Sequence, residues 1–388
     1  MEKRRVAVTG VGVVAAPGVG VEAFWKGLKV DAGPGNRELS DWDPEPWIPK
    51  KEHRRLDRFT QFALVAAAEA LEQSGQLSTA TDRVAVSIGT GIGGIAAFED
   101  LVHAADDPEL RASPFVVPMM MCNAASAAIS IKYGYGGPAT TSVLACAAGA
   151  QAISDAFRQI QWGYADAAIA GGSESAVRPT AVAGFAAAKA LSPTLTARPF
   201  SVDRDGMILG EGAAVLVLEE WNAAVARGVA ILAELTGAGS TADAFHVTAP
   251  HPDGDGAERA MRLALDDASL RPDDIAYVNA HGTGTDLNDR TEGTVIARVF
   301  EGKQPPVSSI KAATGHALGA SGAIEAATCV LAMMFKELPP NLGMTNQDPA
   351  IPVTNLVTAP TPWIPGPTLS NSFGFGGHNT VLAFVPPD

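Results

Sequence analysis

A cysteine and two histidines stand where their surroundings suit chemistry. Cys146 lies in TTSVLACAAGAQAI, where an extended run of Thr, Ser, Val and Leu meets an Ala-rich helical segment. Unpaired N–H groups and the dipole at a helix N-terminus stabilise an anion. A thiol so placed is expected to have a lowered pKa and to act as a nucleophile. Ala147, Ala148 and Gly149 leave room for a substrate to approach. A cysteine by itself is more often a core residue, the reading that suits Cys122 and Cys329, the latter in AATCVLAMMF. His281 in VNAHGTGT and His316 in AATGHALGASG are flanked by glycines, which allow backbone and ligand close to an imidazole. Loops after buried strands are where α/β proteins place catalytic groups. Either histidine alone could be a structural hydrogen-bonding group; Cys146, His281 and His316 as an ordered set are far more specific.

Neighbouring residues extend the set. Lys311 precedes His316 in the same segment, and Glu292 follows His281 in GTDLNDRTE, beside Asp289 and Arg290. A buried Lys–Glu pair would hold the imidazoles and their protonation, although the spacing equally allows a surface ion pair. LSNSFGFGGHN (369–379) carries Phe373, Gly374 and Phe375 in a glycine-rich turn. Its backbone N–H groups could supply part of an oxyanion hole; the plain alternative is a strand-edge turn.

Strand-like and helix-like segments alternate around these residues. RVAVTGVG (5–12), DRVAVSIGTGIGG (82–94) and ADAAIAGGSES (165–175) read as strands closed by glycines. Residues 54–75 and 147–163 read as amphipathic helices, and 211–228 as a strand followed by a helix. The pattern predicts an α/β protein around a buried sheet. An internal echo is visible: 66–91 and 260–284 each run helix, acidic residue, apolar strand, G-T-G turn. It fits either a duplicated unit or a coincidence among common α/β patterns; duplication would make residues 1–228 one half and 229–388 the other, and no linker composition separates them.

The whole-chain numbers set bounds. The 388 residues are 47% hydrophobic and 18% charged, ample for a large core. A net charge of −14 weighs against nucleic-acid binding. Three cysteines without a C-x-x-C pair weigh against a disulfide framework or structural zinc site and suit a cytoplasmic protein. The basic start Lys3-Arg4-Arg5 resembles a signal peptide, but Gly10, Gly12, Pro17 and Gly18 interrupt the apolar stretch, which is read as a strand and a glycine turn. No apolar run looks long and charge-free enough for a membrane span. GVGVVA (10–15) and GTGIGG (89–94) match the dinucleotide-binding fingerprint, a weak signal without an acidic residue after a second strand.

Together these segments resemble the elongating (synthase II) β-ketoacyl-acyl-carrier-protein synthases and the ketosynthases of type II polyketide pathways. The resemblance runs nearly end to end and includes SPFVVPMMMCNAASAAISIKYGYGGPATTSVLACAAGAQAI, RPFSVDRDGMILGEGAAVLVLEE, VNAHGTGTDLNDRTE, IKAATGHALGASGAIEA and NSFGFGGHN. It implies a thiolase-like fold, with two duplicated βαβ halves in α/β/α/β/α layers. It implies that Cys146 carries the acyl group, that His281 and His316 are the catalytic histidines, and that Lys311 and Glu292 are a supporting pair. The N–H groups of Cys146 and Phe375 would hold the thioester oxygen. Phe375 would gate the site with Phe373 and Gly374 beside it, and Phe185, Met121 and Cys122 would line the acyl tunnel. Substrates would arrive on the phosphopantetheine of an acyl carrier protein, without metal or redox cofactor. That acidic partner would dock on Lys50, Lys51, Arg54, Arg55 and Lys189, a basic patch near the tunnel. The chain would form a homodimer, or a heterodimer with a chain-length-factor homologue.

The sequence departs from the fatty-acid enzymes at Ala147, Ser201 and Met207, and it is shorter before residue 60. These departures leave room for a specialised polyketide or polyene pathway. Related acyltransferases fit less well: thiolases need a second cysteine near the C-terminus, where this chain has His378, and starter-type synthases have Asn in the place of His316. A non-catalytic chain-length factor would lack Cys146. A nicotinamide oxidoreductase remains the alternative from another class.

Overall fold

The computed structural model describes residues 3–105 and 113–387. Its centre is an eleven-stranded mixed sheet. Ten of the strands are β1 (Val6–Ala15), β2 (Val84–Gly89), β3 (Ala139–Thr140), β4 (Ala167–Glu174), β5 (Gly212–Glu220), β6 (Ala233–Ala242), β7 (Tyr277–Asn279), β8 (Val307–Ser308), β9 (Thr368–Gly374) and β10 (His378–Val385). They run in the order β3-β2-β4-β5-β1-β6-β10-β9-β7-β8, and Gly18–Val19 pairs back onto β1. The first five strands come from residues 6–220 and the last five from residues 233–385. Each set has two parallel pairs at its outer side and antiparallel pairs toward the middle. The sets join through the antiparallel pairs Val6↔Leu235, Ala7↔Glu234 and Val8↔Ala233.

The symmetry extends to packing. The helix Arg58–Ser74 lies on β1 and β5, and the helix Asp255–Ala268 lies on β6 and β10. Gly12 and Gly10 let the first helix approach so closely that a Cβ would fall 1.9 Å from Ala66 O and 2.1 Å from Ala70 O. Gly239 and Gly237 do the same for the second helix, at 2.0 Å from Ala260 O and 2.6 Å from Ala264 O. GVGVVA is therefore strand interior and not the expected glycine turn, because all of β1 is buried beneath a helix backbone. Between the two five-stranded sets lie the helices Ala148–Gln161 and Ser321–Phe335, packed on each other and on β2, β4, β5 and β9. The result is the α/β/α/β/α order of layers.

The observed helices start and stop for local reasons. The expected 54–75 helix begins at Arg58 because the Asp57 carboxylate accepts the Phe59 N–H as an N-cap, and it ends at Gly75, with φ +71. Every residue from Ser321 to Met333 is buried, so that helix is enclosed on all sides. By length and composition the stretch Leu318–Phe335 could cross a membrane, contrary to the sequence expectation, but 89% of it is buried inside the protein. The parallel strands β2, β4, β7, β8 and β9 deliver Thr90, Glu174, His281, Lys311 and Gly374 at or just beyond their C-terminal ends, the usual place for an α/β site.

Candidate active site

Cys146 sits in a turn of 3-10 helix, Ala145–Ala147, that leads into the helix Ala148–Gln161. The preceding Ala145 takes a left-handed φ of +46, which makes the entry abrupt and aims the cysteine into the pocket beyond. The thiol is buried, and burial pushes it up to about 11, against the smaller opposing effects of the Phe375 N–H, Lys311 and its own backbone. This reverses the lowered value expected from the helix N-terminus: removing a thiolate from water costs more than the local dipole returns.

His316 approaches the sulfur, with Nε2 3.1 Å from Sγ, and its Nδ1 lies 3.0 Å from Ser321 Oγ. Its backbone is held on both sides, by His316 N–H to Ile208 O at 2.8 Å and by Gly210 N–H to His316 O at 3.0 Å. His281 follows β7, and its ring stands nearly perpendicular to that of His316, at 5.4 Å between centroids. Burial and the nearby Lys311 hold both imidazoles well below the usual histidine pKa, so both are neutral at neutral pH. Lys311 Nζ donates to His281 Nδ1 at 3.2 Å and to His281 O. That assignment leaves the His281 proton on Nε2.

Lys311 has a different carboxylate partner from the one expected. Its ammonium pairs with Glu325, on the buried helix Ser321–Phe335. Glu292 instead accepts the backbone N–H groups of His281 at 2.8 Å and Gly282 at 2.7 Å, and the amide of Asn371 at 3.1 Å. One helical turn earlier, Asp289 accepts from Thr283 N–H at 3.0 Å and from Phe200 N–H at 2.8 Å. Glu292 and Asp289 thus hold the His281 loop, while Glu325 holds the lysine. Glu325 was missed because the residues between it and Lys311 carry no sign that both side chains turn inward.

The 373–377 turn closes over the cysteine. The Phe375 N–H acts on the Cys146 sulfur in favour of its thiolate. A Cβ on Gly374 would lie 3.1 Å from Cys146 N and 3.0 Å from Leu144 O, so glycine there keeps the Cys146 N–H open. The Phe373 ring stands 5.9 Å from His281, and the Phe375 ring 6.1 Å from Phe185. Cys146, both histidines, Phe185, Lys189, Thr283 and Phe375 line one pocket of about 290 Å³, near the lower end of the small-molecule range. Among the described residues, Cys146, His281 and His316 also place donor atoms within 4.8 Å of one another, donor types that zinc accepts. Here the sulfur already bonds His316 and His281 already bonds Lys311, whose positive charge opposes a second cation.

Family models for the β-ketoacyl synthase N-terminal and C-terminal domains match residues 29–224 and 232–345. The chain belongs to the β-ketoacyl synthase family. It is 42% identical to the 3-oxoacyl-[acyl-carrier-protein] synthase 2 of Synechocystis sp., over 99% of this chain and 98% of the relative. Among solved structures it is similar to the ishigamide ketosynthase/chain length factor, with TM-score 0.93 and 33% identity over the whole of both chains. It is also similar to a type II PKS ketosynthase in complex with its acyl-carrier protein and bound to the hexaketide, with TM-score 0.89 and 29% identity over the whole of both chains.

Not every residue singled out in the sequence lines the pocket of Cys146. Met121 lines a separate cavity with Trp47, Arg55 and Ile131. Cys122 packs on Gly93, and its neighbour Met119 is held so closely that a Cβ on Gly94 would fall 2.0 Å from Met119 O. Neither Met121 nor Cys122 lines the pocket of Cys146. Lys189 does line it, whereas Lys50, Lys51, Arg54 and Arg55 are exposed residues that do not. Arg55 instead lays its guanidinium 4.8 Å from the centre of the Phe115 ring. The GTGIGG fingerprint holds no free phosphate cradle: the N–H groups of Gly91 and Ile92 already bond the Glu174 carboxylate, at 2.6 and 3.3 Å. With GVGVVA buried inside β1 as well, the nicotinamide reading loses both of its motifs.

Proposed function

We propose that this chain joins an acyl group to a malonyl unit by decarboxylative condensation, both delivered as thioesters on acyl carrier protein. The observation that carries the reading is the pair of neutral imidazoles at one thiol, His316 bonded to Cys146 and His281 oriented by Lys311. In the first half-reaction the Cys146 sulfur attacks the acyl thioester carbonyl. His316 Nε2 takes the S–H proton and passes it to the departing carrier thiolate. A new C–S bond to Cys146 replaces the one to the carrier. The N–H groups of Cys146 and Phe375 face the oxygen that becomes negative.

In the second half-reaction the malonyl thioester oxygen lies between the Nε2–H groups of His281 and His316. Ser321 Oγ both donates and accepts, so it supports either tautomer of His316. The C–C bond to the carboxylate breaks and CO₂ leaves. The electron pair passes into an enolate, whose oxygen the two imidazoles stabilise. The enolate carbon attacks the acyl-Cys146 carbonyl, the C–S bond breaks, and the thiolate regains a proton from solvent. The product is a β-ketoacyl thioester on the carrier. Every step balances without a metal or redox cofactor. The same chemistry serves fatty-acid and polyketide pathways, and Ala147, Ser201 and Met207 leave room for the second.

Carrier docking falls to Lys189 at the pocket and to the exposed basic residues 50–55. Val117, Met121, Ile131 and Val143 expose large apolar side chains, and β3 is an edge strand; a second copy or a chain-length-factor homologue would cover such surface. The three free cysteines suit the cytoplasm. The test is intact-mass analysis after incubation with a panel of acyl carrier thioesters. An acyl increment on the wild type that vanishes in Cys146→Ala is expected. No increment with any donor, on folded protein, would overturn the reading.

A further inference from the structure

The loop 90–94 has no part in the chemistry above, yet it surrounds a buried charge. Glu174, the last residue of β4, is fully buried. Its carboxylate accepts from Thr90 Oγ1 at 3.1 Å, Gly91 N–H at 2.6 Å and Ile92 N–H at 3.3 Å. A fourth donor comes from the other half of the chain, Gly319 N–H at 3.1 Å. Burial raises the group to about 7, and these hydrogen bonds act in the opposite direction. A carboxylate kept in such a place needs all of its donors.

The fourth donor leads to the catalytic site. Gly319 lies in the turn Leu318–Ala320, between His316 and Ser321. Leu318 takes a left-handed φ of +42, and Gly319 is pressed so close to the loop that a Cβ would fall 2.2 Å from Gly91 N. The same short turn ends at Ser321, whose hydroxyl holds His316 Nδ1. On the opposite side, a Cβ on Gly91 would lie 3.7 Å from the carbonyl of Ala145, the residue before the nucleophile. One carboxylate therefore ties the histidine loop to a loop that abuts the cysteine turn.

We propose that Glu174 is a positioning residue: through Gly91, Ile92 and Gly319 it sets the His316 imidazole against the Cys146 sulfur. The inference rests on the reading of His316 as proton acceptor for Cys146. It concerns the folded enzyme, and no substrate touches Glu174.

The test is a double-mutant cycle of Glu174→Gln with Ser321→Ala, read by steady-state condensation and by the rate of Cys146 acylation. Glu174→Gln keeps the shape but turns an NH₂ toward backbone N–H groups. It is expected to lower kcat by about 10- to 100-fold with KM for the carrier thioester little changed, because a small misplacement of a reacting group is costly. Since both substitutions act on His316, the double variant should lose no more than the worse single one. Losses that multiply, or a folded Glu174→Gln with kcat within about twofold of wild type, would overturn the proposal. Should Glu174→Gln fail to fold, Thr90→Val takes its place in the same cycle, with a smaller loss and the same non-additivity expected. His316→Ala is the control for the underlying reading: if it leaves Cys146 acylation unchanged, His316 is not the proton acceptor and the Glu174 proposal falls with it.

Discussion

His316 Nε2 lies 3.1 Å from a Cys146 sulfur whose pKa burial has pushed up to about 11. The resting pair is therefore a thiol beside a neutral imidazole, and not a thiolate–imidazolium pair. The thiolate is the charged form, so raising the pKa lowers its fraction at neutral pH, and that fraction grows about tenfold per pH unit below the pKa. Alkylation of Cys146 by iodoacetamide, followed by intact mass, should accelerate nearly tenfold per unit from about pH 7 to pH 9 without a plateau. A plateau near neutrality would show an ion pair instead.

Lys311 and Glu325 form the buried ion pair that supports His281. Glu325→Ala leaves the ammonium unpaired in the core and should cost about 3–5 kcal/mol in urea unfolding. Replacing both, as Lys311→Met with Glu325→Leu, should recover much of that stability. Condensation should stay low in the double variant, because His281 Nδ1 has lost its donor. Recovery of activity together with stability would show that the pair serves folding alone.

Gly374 faces the backbone of Cys146. In Gly374→Ala the new methyl group would lie 3.1 Å from Cys146 N, where the thioester oxygen must fit. Loss of one oxyanion donor costs about 10²–10³ in kcat, and a loss of that order is expected. Iodoacetamide, which needs no oxyanion site, should still alkylate Cys146 in this variant.

Phe185 and Phe375 close the pocket, with ring centroids 6.1 Å apart. Phe185→Ala should shift the preferred acyl donor to longer or bulkier chains. The ratio of kcat/KM for a longer against a shorter donor should move by at least about tenfold, the usual worth of a change of pocket size. An unchanged ratio across a donor panel would place the acyl chain elsewhere.

The sequence by itself showed the α/β alternation and singled out Cys146, His281 and His316, which the fold brings to one pocket. These rest on short-range information: apolar periodicity, glycines beside each reactive group, and the order of motifs along the chain. Only the tertiary structure decided which carboxylate meets Lys311. Glu292 and Glu325 are both plausible along the chain, but the buried helix Ser321–Phe335 brings Glu325 to the ammonium while Glu292 turns to the His281 loop amides. The sign of the Cys146 shift was out of reach for the same reason. A helix N-terminus can be read locally, whereas burial depends on His316 and on Ala176, Met207, Leu209 and Leu318 closing around the thiol from distant parts of the chain. Met121 and Cys122 do not line the pocket of Cys146; Gly93 packs on Cys122 and Gly94 on Met119. Local pattern specifies which residues form strands, turns and helices; which side chains then meet, and how much water they keep, depends on faces brought together from distant parts of the chain.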